Sequence, residues 1–434
     1  MLQQFKEHLT RNFPLLTDKK VLLAVSGGLD SMVLLHLFEQ SNIEFSVAHC
    51  NFQLRDKESD GDENFVIDYC NSKGVAIFVQ RFNTKQFAKD QKLSTQIAAR
   101  ELRYAWFSEL LTVHQMDYLV TAHHLDDEVE TFLINFIRGT GLEGLQGIPK
   151  QNEKVIRPLL PFSRFQILEY ATKNSVIWRE DSSNATDAYV RNQLRHQIIP
   201  VFKEVNPSFL QSFQNTIDYL KDTQTLVDDA VRIVYKKTVQ DFEDKKVILL
   251  PELLQLPNYK AYLYQWLKPL GFTAWEDIYE LVNASSGKQI FSESYRLIKD
   301  RTTLLITPNC ERNTSYYWIQ ETASQIQVPI LLSFINVNTI SQINQNIIYI
   351  DNNTLKFPLL LRKWQEGDYF YPLGMGGKKK VSKYFKDEKF TLIDKENTWL
   401  LCSDNQIVWI VGKRQDERFK VHPTTTNILK IELQ

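Results

Sequence analysis

The segment Ser26-Gly27-Gly28-Leu29-Asp30-Ser31 follows an apolar run, Val21-Leu22-Leu23-Ala24-Val25. It precedes a stretch carrying Met32, Val33, Leu35, His36 and Phe38 at mixed helical spacing. Strand, glycine turn and helix in that order make an anion cradle. The glycines let the backbone turn sharply and approach a phosphate closely. The helix start offers free N–H groups and the positive end of its dipole. Ser26 and Ser31 add hydroxyl donors. Asp30 repels bare phosphate, so its natural task is to hold Mg2+ between phosphates. The loop is neither Gly-x-x-x-x-Gly-Lys-Ser/Thr nor Gly-x-Gly-x-x-Gly. Its bland alternative is an ordinary strand-to-helix turn.

Two further clusters carry chemistry. Arg100 and Arg103 stand three apart in Ile97-Ala98-Ala99-Arg100-Glu101-Leu102-Arg103-Tyr104 and share a helix face. That suits a two-point clamp on an anion or carboxylate; a solvated charged face paired with Glu101 is the competing reading. His123-His124-Leu125-Asp126-Asp127-Glu128-Val129-Glu130-Thr131 begins another helix. Its carboxylates could hold Mg2+ or an ammonium group, or simply cap the helix. Adjacent histidines without a nearby thiol do not have zinc-site spacing. Arg138-Gly139-Thr140-Gly141-Leu142-Glu143-Gly144-Leu145 then ends that helix in a glycine-rich loop, a second candidate anion contact.

The elements that must position these groups alternate between strand and helix. Strands are expected at 21–25, 45–49, 76–79 and 118–122, with 155–156 a fifth. Helices are expected at 30–39, 58–72, 95–113 and 126–137. Such alternation implies a Rossmann-like parallel sheet with right-handed crossovers. Ligands of such sheets bind at the carboxyl ends of the strands. Ser26–Ser31, His49-Cys50-Asn51 and His123-His124 all fall there. Beyond it, 191–232 reads as amphipathic helix broken at Pro200 and Pro207, 251–282 as aromatic-rich helix, 289–307 as strands and 328–434 as short β runs. The expected division is a catalytic α/β domain over 1–210, a mostly helical middle domain over 211–320 and a smaller α+β, β-rich domain over 321–434.

At 434 residues the chain has room for about three domains. A net charge of −1 excludes a general polycation, so any nucleic-acid contact must be local. Residues 376–389 supply one: six lysines stand against Asp387 and Glu388, a net charge of +4, with Tyr384 and Phe385 interleaved. Lys378, Lys379, Lys380 and Lys383, with Arg191 and Arg195, are the candidate RNA contacts. Cys50, Cys70, Cys310 and Cys402 form no Cys-x-x-Cys pair, which argues against a zinc knuckle, an iron–sulfur site or a disulfide framework. With no signal-peptide layout and no apolar run of membrane length, a cytoplasmic protein with reduced thiols and no membrane partner is expected.

The phosphate loop resembles that of the N-type ATP pyrophosphatases, or PP-loop ATPases. In that family it grips the β,γ-phosphates of ATP and leaves the α-phosphate open to attack. One branch, the tRNA(Ile)-lysidine synthetases, is similar over residues 20 to about 200. The similarity runs through SGGLDS, AARELRY, HHLDDEVET, RGTGLEGL, IRPLL (156–160), EDSSN (180–184) and VRNQLRH (190–196). Glu128 departs from the glutamine usual there. The lysine-rich stretch, with Arg362, Gly367-Asp368 and Pro372-Leu373-Gly374-Met375, resembles the carboxy-terminal domain of that branch; 210–310 corresponds only by position and helical character.

The resemblance implies ATP and Mg2+ as cofactors, with tRNA(Ile) bearing a CAU anticodon and free L-lysine as substrates. ATP would adenylate O2 of the wobble cytidine and lysine would displace AMP, forming lysidine and changing the tRNA's identity from Met to Ile. On this reading Ser26, Gly27, Gly28, Leu29, Asp30 and Ser31 bind ATP, and Asp30 reaches Mg2+ through phosphates. Arg103 or Arg138 stabilises charge at the α-phosphate. Asp126, Asp127 or Glu130 takes the lysine ammonium and Arg100 its carboxylate. Asp127 also counts among the catalytic residues, as acceptor of the amine proton. Oligomeric state stays open, a homodimer included. The alternatives are a tRNA thiolation enzyme on the same loop, an amide-forming synthetase, and a non-catalytic tRNA-binding module. Thiolation would need a reactive cysteine pair, and Cys50 has no evident partner in the sequence.

Overall fold

The computed structural model describes residues 1–55, 57–180, 190–309, 315–341 and 344–434. It divides into two compact units, Met1–Asp229 and Ala230–Gln434.

The first unit opens with α1 (Leu2–Asn12), β1 (Val21–Ala24), α2 (Leu29–Glu39), β2 (Phe45–Asn51), α3 (Lys57–Lys73) and β3 (Ile77–Arg81). It continues through α4 (Thr84–Asp90), α5 (Thr95–Val113), β4 (Tyr118–Val120), α6 (Leu125–Ile137), β5 (Gln151–Asn152), β6 (Val155–Ile156) and α7 (Arg164–Lys173). The strands form one sheet in the order β3-β2-β1-β4-β6-β5, all parallel except β5. The expected parallel sheet is present, with 155–156 as its fifth parallel strand. β1 pairs with β2 on one side and β4 on the other, so the chain order reverses there and a crevice opens at the carboxyl ends.

Both faces of the sheet are covered, which explains the unbroken apolar strands. Leu23, Val47 and Val120 face a core built with α1, α2 and α7, while Leu22, Ala48 and Leu119 face Trp106, Phe107, Leu110 and Leu111 of α5. α2 is buried almost all round, which removes the one-sided spacing of a surface helix.

α8 (Val190–Gln193), a π-helical turn (Leu194–Ile198), α9 (Ile199–Val205) and α10 (Phe209–Thr238) follow. Pro200, expected to break the helical run, instead sits in the first turn of α9, where its missing N–H costs nothing. The run continues through a π-helical turn that carries Arg195, and the break falls at 206–208, at the expected Pro207. Leu125 and Val129 of α6 pack on Ile199, Phe213 and Ile217 of this helical appendage.

The second unit begins with a five-stranded antiparallel sheet of 239–241, 246–249, 303–308, 295–300 and 289–291 in that spatial order. The helices expected within 251–282 are there, at Leu250–Leu253, Tyr259–Leu267 and Trp275–Leu281. Strands 239–241 and 246–249 were not expected. Two further antiparallel sheets follow, of five and four strands. One contributes Ile319, Leu361 and Leu401, and the other Phe334, Ile348 and Ile431, to a shared core. Helix Val381–Asp387 covers the other face of the first of these sheets, against Cys402, Ile407 and Ile410.

Candidate active site

The loop after β1 is built by its own side chains. Gly27 takes φ +93°, and a Cβ there would stand 3.3 Å from Val66 of α3, so both conformation and space call for glycine. Ser31 Oγ donates to the Gly28 carbonyl at 2.9 Å and accepts the Ser26 N–H at 3.2 Å. The Ser26 and Ser31 hydroxyls lie 3.1 Å apart. The Arg179 N–H ties the Gly27 carbonyl at 2.9 Å. The loop borders a cavity of about 570 Å3, ample for a nucleotide, walled further by Phe52, Arg103, Tyr104, His123, Asp127 and Arg164 among others.

Asp30, in the first turn of α2, lies under a cationic cover. Its Oδ2 accepts from Arg164 Nη1 at 3.1 Å, and His124 Nε2 stands 3.6 Å from Oδ1, beyond hydrogen-bond length. Burial opposes its charge, but His124, Arg164 and Arg195 outweigh burial and hold the carboxyl below its ordinary range. Oδ1 is buried with no hydrogen-bond partner among the described residues. A deprotonated carboxylate with one oxygen in want of a partner, beside a loop of phosphate donors, fits Mg2+, which favours one or two carboxylates plus substrate phosphates.

The two neighbouring histidines are pushed in opposite directions. His123 bonds Thr121 Oγ1 through Nδ1 at 2.9 Å, and burial pushes its pKa down to about 4. Burial also acts to lower His124, but Asp127, Asp30 and Asp126 surround it and raise it above the ordinary value. Two imidazoles whose surroundings push their pKa in opposite directions thus stand side by side at the carboxyl end of β4.

α6 presents its carboxylates in three directions. Asp127 faces the cavity while its Oδ2 accepts the His124 N–H at 3.1 Å, capping the helix. Asp126 is turned elsewhere: it accepts the Arg164 N–H at 2.8 Å and Lys203 Nζ at 2.7 Å. Glu130, fully buried, meets Arg195 at 2.6 and 3.1 Å and Arg191 Nε at 3.2 Å. Burial outweighs these cations and pushes the Glu130 carboxyl above its ordinary range. Arg195 also reaches Asp127 Oδ1 at 3.3 Å. Asp127, Glu130 and Arg195, read from the sequence as separate lysine and tRNA contacts, are therefore one network. Glu128 pairs with Lys221 of α10 at 3.2 Å, close against Gly147, which takes φ +72°. Burial raises the Glu128 carboxyl against the pull of Lys221.

Arg100 and Arg103 do not clamp a common point. The Arg103 guanidinium lies 5.0 Å over the Phe52 ring at the cavity wall, and that of Arg100 lies 4.9 Å over Tyr104, outside the lining. Arg191 reaches the cavity and bonds Thr131 Oγ1 at 2.9 Å. Arg138, at the C-cap of α6, is exposed and does not line the cavity. Residues 181–184 of EDSSN, and Cys310, lie outside the described residues. Phe52, Arg164, Trp178 and Arg179 line the cavity without having been singled out. Phe52, directly after the His49-Cys50-Asn51 strand end, and Trp178-Arg179, directly before the EDSSN motif, had signals that could have marked them.

Cys50 borders the cavity, but burial pushes its thiol up to about 12 against the opposing influence of Arg103. That is the reverse of an activated sulfur nucleophile.

In the second unit, Lys378, Lys380 and Lys383 are exposed, with Lys378 Nζ 3.5 Å over the Tyr369 ring. Lys379 is held at 2.9 Å by Asp387. Tyr384 and Phe385, expected to face RNA, are buried instead. Val381, Tyr384 and Phe385 form the apolar face of a short helix, which leaves its lysines, Ser382 and Asp387 on the solvent side.

Family models match three stretches: a PP-loop domain over residues 1–202, a TilS substrate binding domain over 241–309 and a TilS substrate C-terminal domain over 359–433. The chain is 38% identical to a tRNA(Ile)-lysidine synthase of Parabacteroides distasonis over 435 residues, covering 99% of each. It is 30% identical to one of Bacillus subtilis, covering 95% of this chain and 94% of the relative. Among solved structures, a U34-tRNA thiolase from Methanococcus maripaludis matches 50% of this chain and 79% of its own at 17% identity, with a TM-score of 0.42. With the three family models in order along the chain and full-length relatives at this identity, the chain belongs to the tRNA(Ile)-lysidine synthase family.

Proposed function

We propose that this chain ligates L-lysine to C2 of the wobble cytidine of tRNA(Ile) with a CAU anticodon, at the expense of ATP. The observation that carries this is the shared cavity of the Ser26–Ser31 loop, Asp127 and Arg103, large enough for a nucleotide and a second reactant. In the first step O2 of the base attacks the α-phosphorus. The bond to the bridging oxygen breaks, and pyrophosphate leaves with that electron pair. In the second step the neutral ε-amine attacks C2, AMP departs with the former O2, and the amine gives up a proton.

The loop N–H groups and the Ser26 and Ser31 hydroxyls hold the β,γ-phosphates. Asp30 would hold Mg2+ beside those phosphates, and the ion when bound would supply charge neutralisation for pyrophosphate. Arg103, steadied on Phe52, faces the α-phosphate. Asp127, the α6 carboxylate on the cavity, takes the lysine ammonium and accepts its proton. Arg191 is the cavity-facing choice for the lysine carboxylate. Glu130 and Arg195 brace these two. The base must leave its stack to enter, and the exposed lysines of 378–383 hold the tRNA body. The functional parts are 1–210, 211–320 and 321–434.

The test is incubation with ATP, Mg2+, labelled lysine and unmodified tRNA transcripts. Label entering only the CAU-anticodon tRNA(Ile) is expected; transfer that requires cysteine-derived sulfur and no lysine would overturn the reading. Asp127→Asn with undiminished lysine-dependent turnover would remove Asp127 from the scheme.

A further inference from the structure

Arg164 is fixed at its backbone, while its partly exposed side chain reaches the phosphate loop. Ser163 and Gln166 close a capping box at the start of α7: Ser163 Oγ accepts the Gln166 N–H at 3.3 Å, and Gln166 Oε1 accepts the Ser163 N–H at 2.9 Å. Asp126 Oδ2 takes the Arg164 N–H at 2.8 Å, locking α7 to the head of α6. The side chain is nonetheless 43% exposed, and its guanidinium reaches Asp30 at 3.1 Å.

Among the described residues, the other arginines and His124 at or near the cavity are engaged away from the loop or behind it; Arg195, which also acts on Asp30, is held by Glu130 and Asp127. Arg103 rests on Phe52. Arg179 is held by Asp62 at 2.6 Å. Arg191 meets Glu130 and Thr131. His124 is buried between Asp127 and Asp30. Among the described residues, Arg164 is the cavity-lining arginine whose side chain bonds the phosphate loop itself. The loop carries no lysine, so its own donors are neutral while its one charged residue is an acid. A guanidinium that now neutralises Asp30 has donors to spare for phosphate oxygens next to the same carboxylate.

We propose that Arg164 binds the β,γ-phosphates of ATP and retains the pyrophosphate after the α-phosphorus bond breaks, and that Asp126 is its positioning residue rather than a lysine ligand. This rests on the adenylation reading above. It adds to the loop a cationic arm delivered from α7, 134 residues away in sequence.

The test measures competition of inorganic pyrophosphate and of AMP against ATP binding to the full chain, with lysine transfer by the unaltered protein as a separate control. Arg164→Met is expected to raise the pyrophosphate inhibition constant about tenfold to a hundredfold, the worth of one charge-assisted contact, with AMP unchanged. Arg164→Lys, which keeps the charge, is expected to fall between and covers the case in which the methionine variant fails to fold. Asp126→Ala is expected to raise the pyrophosphate constant and leave the KM for lysine in place. Equal weakening of AMP and pyrophosphate, or no weakening of either, overturns the role of Arg164. A higher lysine KM with an unchanged pyrophosphate constant overturns that of Asp126. Failure of the unaltered protein to transfer lysine would instead strike the underlying reading.

Discussion

The Arg195 guanidinium grips both carboxylate oxygens of Glu130, at 2.6 and 3.1 Å, across 65 residues of sequence. Glu130 is fully buried on α6, and Arg195 arrives on a π-helical turn that widens the backbone where it enters. The pair joins the helix bearing Asp127 to the segment bearing Arg191, the two sides proposed to bind lysine. Glu130→Gln leaves Arg195 and Arg191 without their buried counter-charge. Breaking such a pair costs about 3–5 kcal/mol. A melting temperature lower by several degrees is expected, together with a kcat/KM for lysine reduced at least about tenfold. Thermal unfolding and lysine-titrated turnover check both; an unchanged KM for lysine would confine the pair to a structural role.

Cys50 separates lysidine formation from sulfur transfer. Its thiol, pushed up to about 12 by burial, stays protonated near neutrality. Cys50→Ala is expected to keep lysine-dependent turnover within about twofold, and iodoacetamide at about pH 8 is expected to leave Cys50 largely unmodified by peptide mass mapping. Rapid alkylation with loss of activity would restore the thiolation alternative.

His8 sets an acid limit on the first unit. Burial, with Lys150 adding, pushes its pKa down to about 4, so the folded chain holds the ring neutral. Unfolded, it titrates near ~6.5. A depressed folded pKa means the unfolded state binds the proton first. The stability from His8 is therefore complete above about 6.5 and is lost as pH falls toward about 4. Discounted for solvent screening at this partly exposed ring, the loss is on the order of 1–2 kcal/mol. His8→Phe keeps the edge-on ring contacts with Phe13 and Phe162 and removes the titration. Denaturant titrations across this range are expected to show a shallower acid slope for the variant; an identical slope contradicts the assignment.

The lysine stretch predicts graded salt effects. Lys378→Gln, Lys380→Gln and Lys383→Gln should each weaken tRNA binding and reduce the log–log salt slope by roughly 0.7–0.9. Lys379→Gln should do less to the slope, because Asp387 already neutralises that ammonium. Filter binding across an ionic-strength series distinguishes them. Equal slopes for all four variants would mean the Asp387 pair opens on RNA.

What the sequence made legible was local. Val21–Ala24 before two glycines and a helix reads as a phosphate loop because each of its requirements lies within a dozen residues. The parallel sheet follows from the same alternation of strand and helix. Arg164 was illegible because its partners, Asp30 and Asp126, lie far off along the chain and meet it only through the packing of α2, α6 and α7. Phe52 gained its role as a support for Arg103 in the same way. Tyr384 and Phe385 were misassigned to the RNA face although Val381, Tyr384 and Phe385 already have the spacing of a helix stripe; the surrounding lysines masked it. Strands 239–241 and 246–249 are too short to show a periodicity of their own.

The central claim is that O2 of the wobble cytidine becomes adenylated and leaves with AMP. Its most direct test is tRNA(Ile) carrying a heavy oxygen isotope at that O2, incubated with ATP, Mg2+ and lysine, with mass spectrometry of the nucleotide product. The account predicts the heavy oxygen in AMP, one per lysine incorporated, and none in pyrophosphate or solvent. Lysine incorporation with unlabelled AMP would contradict it.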